Sequence, residues 1–240
     1  MERKQMATTE ITITAQRRAL GFINAVRIQE SFTASAERRI LRSLAERMPA
    51  GINSDHLTAL GFAAQLGAGA AFALARWNRF ALLLAILCIA LNWFGDSLDG
   101  TLARLRNQQR PRYGFYVDHM VDSFGALAVV LGLAVSPYID WRVALAMLIA
   151  FLMVSIEAYL ATYTLGSFRL SYGRFGPTEI RLLLIAGCIR LMIDPNVHLV
   201  GHTYQLFDIG GVIATAGMLA MCVVSAAIHT RALYKQEAAR

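Results

Sequence analysis

Four aspartates, Asp96, Asp99, Asp118 and Asp122, stand in two pairs within otherwise apolar surroundings, in the segments NWFGDSLDGTLAR and YGFYVDHMVDSFGA. Residues three or four apart share one face of a helix, so each pair projects from a single face. A short basic loop separates the segments, which predicts an antiparallel helical hairpin whose carboxylates converge. Carboxylates at close range do not all ionise unless cations sit between them. Hard divalent ions select oxygen ligands, and no His or Cys cluster competes for them. Mg²⁺, Mn²⁺ or Ca²⁺ answers that description, with Mg²⁺ or Mn²⁺ the expected cofactor, and four carboxylates could hold two ions. Such a pair clamps the attacking and leaving oxygens of an in-line phosphoryl displacement. Gly100 and Ala103 leave room for a bulky ligand, and Arg104 offers a planar fork to phosphate.

The elements that position these residues are membrane spans. The chain has 240 residues, of which 56% are hydrophobic and 16% charged, well below the roughly one-quarter charged residues of soluble domains. Apolar runs of about 20 residues, each enough to cross about 30 Å of hydrocarbon, exclude a soluble enzyme. Six helices are expected, at His56–Ala75, Phe80–Asp99, Gly114–Ser136, Val143–Tyr163, Thr178–Ile193 and Ile209–His229. The fifth is short and carries Arg181 and Arg190, which fits only if both snorkel from its ends.

Nineteen of the 23 Lys and Arg residues fall on one side of this topology; Arg76, Arg79, Arg142 and Arg190 fall on the other. The bias places both termini and the four-aspartate end in the cytoplasm, with the bacterial inner membrane as the expected location. The net charge of +7 then matches anionic headgroups and anionic substrates, and nucleic acid is not expected as a partner. Cys88, Cys188 and Cys222 stand singly in apolar runs, without metal or disulfide spacing. The opening residues lack an apolar core and cleavage site, so no signal peptide is expected.

Three regions follow: a wetter segment over 1–54, a transmembrane domain over 55–230 and a cytoplasmic tail over 231–240. Within the first, SAERRILRSLAERM sets Ile40, Leu41, Leu44 and Met48 on one helical face against Arg38, Arg39, Arg42 and Glu46. Pro49 and Gly51 end that helix. An in-plane helix on the inner leaflet and a helix packed against the bundle are both compatible with this pattern. Gly61, Gly67 and Gly69, among alanines, predict close packing of the first span.

Written out, Asp96-x2-Asp99-Gly100-x2-Ala103-Arg104-x9-Gly114-x3-Asp118-x3-Asp122 resembles the motif of the CDP-alcohol phosphatidyltransferase family, membrane enzymes with six transmembrane helices. The connecting stretch Leu105–Tyr113 has nine residues where the family usually has eight, a departure that bears on the rim of the nucleotide pocket. Asp55-His56-Leu57-Thr58 looks like the family's helix-opening segment, and the likeness covers about residues 36–230. It implies an all-α membrane bundle in which Asp96, Asp99, Asp118 and Asp122 ligate two divalent ions. Asp122 would also be the base that deprotonates an acceptor hydroxyl. Gly100, Ala103, Arg104 and Gly114 would contact the CDP moiety or its diphosphate. The implied reaction is attack of an alcohol on a CDP-linked donor, releasing CMP and leaving a phosphodiester, as in phospholipid synthesis. CDP-diacylglycerol is the first choice of donor, and a soluble CDP-alcohol transferred to diacylglycerol is the alternative. Dimerisation is common in the resembled family.

His119 after the third aspartate, and Gly176-Pro177-Thr178-Glu179, resemble the choline and ethanolamine phosphotransferases. Helical geometry points His119 away from the Asp118/Asp122 face. Arg169, Arg174, Glu179 and Arg181 are candidate contacts for an acceptor phosphate or headgroup, and Thr178 is a candidate cap after Pro177. Glu157 either lines an acceptor cavity or pairs locally. Rival classes are an intramembrane prenyltransferase, whose paired aspartate-rich motifs are missing here, and a cation or proton transporter, whose acids belong nearer mid-membrane.

Overall fold

The computed structural model describes residues 34–165, 176–199 and 201–238; Arg169 and Arg174 lie outside the described residues. The described chain forms helices α1 (Ala34–Glu46), α2 (Ser54–Leu74), α3 (Ala81–Leu105), α4 (Pro111–Val135), α5 (Trp141–Leu165), α6 (Pro177–Ile193) and α7 (Leu206–Ala238). An antiparallel hairpin of β1 (Asn196–Leu199) and β2 (His202–Gln205) joins α6 to α7.

Five of these helices, α2 to α5 and α7, are long and apolar enough to cross a membrane by length and composition. The sixth, α6, has 17 residues and at about 1.5 Å per residue falls a little short of the hydrocarbon thickness. The expected all-α membrane bundle is borne out, with every anticipated span present as a helix. The helices run beyond the apolar windows, α3 by six residues past Asp99 and α7 by nine past His229, because hydropathy marks only the lipid-buried part of a helix.

Local signals fix the ends. Asn53 caps α2 by accepting from His56 N–H at 3.0 Å, while His56 Nδ1 accepts from Asn53 N–H at 3.4 Å, a reciprocal capping box. Pro111 opens α4 and Pro177 opens α6, where the missing N–H costs nothing. Asn107 takes φ 54° in the loop between α3 and α4, a conformation asparagine tolerates.

Helix α2 is the centre of the bundle, and glycines let its neighbours approach backbone to backbone. A Cβ on Gly95 of α3 would lie 2.7 Å from Gly61 N of α2. Gly69 of α2 and Gly132 of α4 meet so closely that a Cβ on either would overlap the opposing backbone. The small-residue packing expected of the first span is thus realised on both flanks. Toward the end where α2 finishes, Ala68, Phe72, Leu82, Ala85, Leu133, Tyr138, Leu148 and Leu191 form the main apolar core. Toward the end where α2 begins, Leu41, Ala45, Leu57, Leu98 and Leu102 form a smaller one.

That smaller core settles the environment of α1. Its inward face carries Glu37, Leu41 and Ala45, all buried, with Leu44 and Met48 packed alongside. Ile40, expected on this face, is 51% exposed, and Glu37 takes the inward position instead. Packing against the bundle is therefore the arrangement observed. Arg106 Nη2 donates to Met48 O at 3.0 Å and Pro49 O at 2.9 Å, and its Nη1 to Ile52 O. The turn after α1 is thereby clasped to the end of α3.

Candidate active site at the paired-aspartate end

Asp96 and Asp99 sit on the last turns of α3, and Asp118 and Asp122 near the start of α4. The short connection 106–110 joins α3 to α4, and the two helices pack mainly on α2 rather than on each other, so the expected helix-on-helix hairpin is corrected: α2 brings the two acid pairs to one end of the bundle. Asp96, Asp118 and Asp122 each offer a carboxylate oxygen, and these oxygens lie within 4.8 Å of one another. Trans oxygens around a small hard cation are about 4 Å apart, so this donor set fits a Mg²⁺- or Mn²⁺-sized ion. Each of the three is only partly buried, which leaves the cluster open to a substrate.

Asp99 lies one turn beyond Asp96. Its Oδ2 accepts from Thr58 Oγ1 of α2 at 2.6 Å, and its Oδ1 accepts from Gly100 N–H. It borders the three gathered carboxylates and is held by α2, so the helix-opening segment Asp55–Thr58 reaches the site through Thr58.

The cation beside the acids comes from α6. Arg181 Nη2 pairs with Asp96 Oδ2 at 2.6 Å, and its Nε donates to Asn92 Oδ1 at 2.8 Å. Asn92 in turn donates to Gly61 O at 3.1 Å, which ties α2, α3 and α6 at one level. Arg181 is 85 residues from Asp96, so tertiary packing rather than nearness in the chain sets this pair. A charged residue inside a short apolar span is the signal that pointed there.

Arg104 follows Asp99 on α3. Its Nη2 donates to Thr101 Oγ1 at 3.2 Å, and its guanidinium passes 3.4 Å from where a Gly100 Cβ would stand. Ala103 is half-buried one turn along, and Gly114 on α4 is exposed with open space around its Cα. Gly100, Ala103 and Arg104 lie on the last turns of α3 and Gly114 on the first turn of α4.

Gln65 of α2 escaped the sequence reading. Its amide lies over Gly125, one turn from Asp122 on α4, where any side chain would collide with it. Its Oε1 is buried without a partner. A polar residue in an apolar helix facing a glycine on the next helix was the available clue.

His119 packs into an aromatic group while its Nδ1 stays 3.8 Å from Asp118 Oδ2. Its Nδ1 lies 2.6 Å from Phe115 O, and its ring centroid is 4.1 Å from that of Phe115 and 4.9 Å from that of Tyr159. A carbonyl only accepts, so Nδ1 carries the hydrogen. Glu157 Oε1 and His229 Nδ1 meet at 2.5 Å across α5 and α7; of the two readings open for Glu157, local pairing is the one observed. Glu179 Oε2 accepts from Gly176 N–H at 2.9 Å at the start of α6. Gly176 is the N-cap there, and Thr178 donates instead to Glu37 Oε1 at 2.7 Å, so the expected cap role of Thr178 is corrected.

The sequence profile of the CDP-alcohol phosphatidyltransferase family matches residues 53–228. The chain belongs to the CDP-alcohol phosphatidyltransferase family. Two curated relatives point to different members of it. Cholinephosphotransferase 1 of Gallus gallus is 31% identical over 128 residues, 49% of this chain and 37% of the relative. Archaetidylinositol phosphate synthase of Pyrococcus horikoshii is 32% identical over 105 residues, 44% of this chain and 53% of the relative. The chain therefore spans about a third to a half of the curated relatives it matches. Within the matched region lie Asp96, Asp99, Gly100, Ala103, Arg104, Gly114, Asp118 and Asp122, and the resemblance drawn from those residues is borne out at the level of the family.

Proposed function

We propose that the protein is a CDP-alcohol phosphotransferase: it transfers a substituted phosphoryl group from a CDP-linked donor to an alcohol and releases CMP. The observation that carries this reading is the gathering of Asp96, Asp118 and Asp122, with carboxylate oxygens within 4.8 Å, at one end of the bundle of a family member. Asp96, Asp99, Asp118 and Asp122 are the residues that would hold divalent cations, two in number by the ligand count. Such cations, when bound, neutralise charge on the transferring phosphoryl oxygens and on the departing nucleotide.

The chain's own groups supply the rest. Arg104 and the open backbone at Gly100, Ala103 and Gly114 receive the CDP diphosphate, with the guanidinium fork matching phosphate oxygens. Asp122 takes the proton of the acceptor hydroxyl. Arg181, held by Asn92 and Asp96, presents positive charge beside the acids, where it attracts an acceptor phosphate or headgroup. Helices α2, α3 and α4 partly bury the acids, which strengthens their electrostatic contacts relative to bulk water.

CDP-diacylglycerol is the proposed donor, since acids at the end of membrane-spanning helices are within reach of a lipid headgroup, and the charge bias of the loops favours a cytoplasmic site. The cholinephosphotransferase relative and Gly176-Pro177-Thr178-Glu179 favour a second direction, in which a soluble CDP-alcohol donates to diacylglycerol. The deciding experiment incubates purified protein with labelled CDP-diacylglycerol, or with CDP-choline and diacylglycerol, in Mg²⁺ or Mn²⁺. CMP release with the first donor is expected. Absence of CMP with either donor and a broad panel of alcohols overturns the reading, and release only with the second reverses the direction.

A further inference from the structure

Glu37 is 7% exposed on the inward face of α1, a position its neighbours Leu41 and Ala45 mark as apolar. Burial of a carboxyl group there is costly unless donors meet it. Three do. Trp93 Nε1 donates to Glu37 Oε1 at 2.9 Å, Ser97 Oγ at 3.3 Å and Thr178 Oγ1 at 2.7 Å. Trp93 and Ser97 are on α3 and Thr178 on the first turn of α6, so one oxygen joins three helices.

A second cross-link runs parallel to the first. Arg181 of α6 reaches Asn92 and Asp96 of α3 at 2.8 and 2.6 Å. Asn92 and Asp96 each precede Trp93 and Ser97 by one residue, and Thr178 precedes Arg181 by one helical turn. The two links thus form adjacent rungs between α3 and α6. An apolar interface alone tolerates sliding and rotation, whereas a buried polar bond has one register. The rung at Glu37 contains no proposed ligand or substrate contact; the rung at Arg181 ends on a metal-cluster carboxylate.

We propose that Glu37 is a positioning residue: by holding Thr178 against Trp93 and Ser97 it sets the depth and rotation of α6 on α3. It thereby sets where Arg181 presents its guanidinium to Asp96 and to an anionic substrate. The substrate part of this inference rests on the phosphotransferase reading; the register part does not. Helix α1 is on this account a working part of the site, acting through α6.

Two readouts on the full-length protein in lipid nanodiscs test it. The first needs no turnover: the chain has three tryptophans, Trp77, Trp93 and Trp141, so ¹⁵N-tryptophan labelling gives few indole signals, and Trp93→Phe assigns the one on Glu37. Thr178→Val removes a donor from the shared oxygen and should shift the Trp93 indole resonance; Thr178→Ser, which keeps the hydroxyl, should leave it in place. An unmoved resonance in Thr178→Val overturns the shared bond. The second readout is kinetic. Thr178→Val and Glu37→Ala should each raise KM for the substrate that meets Arg181 by about tenfold, with kcat within about threefold and the double variant no worse than either single one. Glu37→Gln, which keeps an acceptor oxygen, should stay within about twofold of wild type. Multiplying effects, or a fall in kcat at constant KM, reduce Glu37 to a structural contact and overturn the proposal. Should Glu37→Ala fail to fold, the Thr178→Val and Thr178→Ser pair decides alone. A wild-type protein that releases no CMP sinks the phosphotransferase reading while the indole test still judges the register.

Discussion

The two ends of the same helices are held together by different physics. Where α2 ends, apolar side chains such as Phe72, Leu82 and Leu133 fill most of the space between helices. Where α2 begins, Asn92, Asp96, Arg181, Glu37, Thr178 and Thr58 cross the same interfaces by hydrogen bonds. Apolar filling gives stability roughly in proportion to area and is indifferent to small rotations. Buried charges add little net stability and cost much when one partner is lost. The bundle therefore concentrates its stability at one end and its geometric demands at the other, as a site that must hold three acids together requires.

This contrast can be broken most severely at the acids. Asp122→Asn should lower turnover by at least about 10²-fold, in the range expected for loss of a general base, while keeping Mn²⁺ and nucleotide binding better than Asp96→Asn does. Equal loss of binding in both, measured by Mn²⁺ titration with CMP present, contradicts the division of roles. The opposite end answers with stability. Phe72 is completely buried, and Phe72→Ala should cost about 3–5 kcal/mol of unfolding free energy while KM at permissive temperature stays unchanged. A KM shift as large as the stability loss would mean that the two ends are not separable.

Arg104→Lys removes the planar fork but keeps the charge. Donor affinity should fall by about tenfold, the equivalent of one charge-assisted bond, with acceptor KM constant; an unchanged donor affinity removes Arg104 from the phosphate site. The smallest effect is expected at the hairpin after α6. Asp194 accepts from Asn196 N–H at 2.9 Å and pairs with Arg190 at 3.4 Å. The backbone bond first, and then Arg190, hold its carboxyl below the usual carboxylate range. Its contribution is present above the ordinary aspartate pKa and is lost as pH falls through the lowered folded value. Amide exchange in Asn196–Gln205 should accelerate only in that acidic window, and acceleration near neutrality would contradict the assignment.

Much of the architecture was readable from apolar run length, since lipid imposes a minimum span on any crossing helix. The spacing within each aspartate pair was equally readable, because a helical repeat converts it directly into a shared face. Partners far apart in the chain were not. Arg181 holds Asp96 from 85 residues away, since tertiary packing of a short helix decides the matter. Glu37 was hidden by its type: periodicity arguments assign a glutamate outward, and only its three donors on α3 and α6 reverse that. The hairpin at 196–205 was missed because its four-residue strands lack a run of alternating residues, and only Gly201, at φ 79°, hints at a turn.

The clasp of Arg106 on three carbonyls after α1 bears on how the protein can be trimmed. The family match starts at residue 53, which invites truncation there for crystallisation or expression. Such a version would leave that guanidinium, together with the donors of Trp93, Ser97 and Thr178, facing nothing on the protein. A shortened form that begins before residue 34 keeps those groups occupied, and is the better starting point for any engineering of the fold.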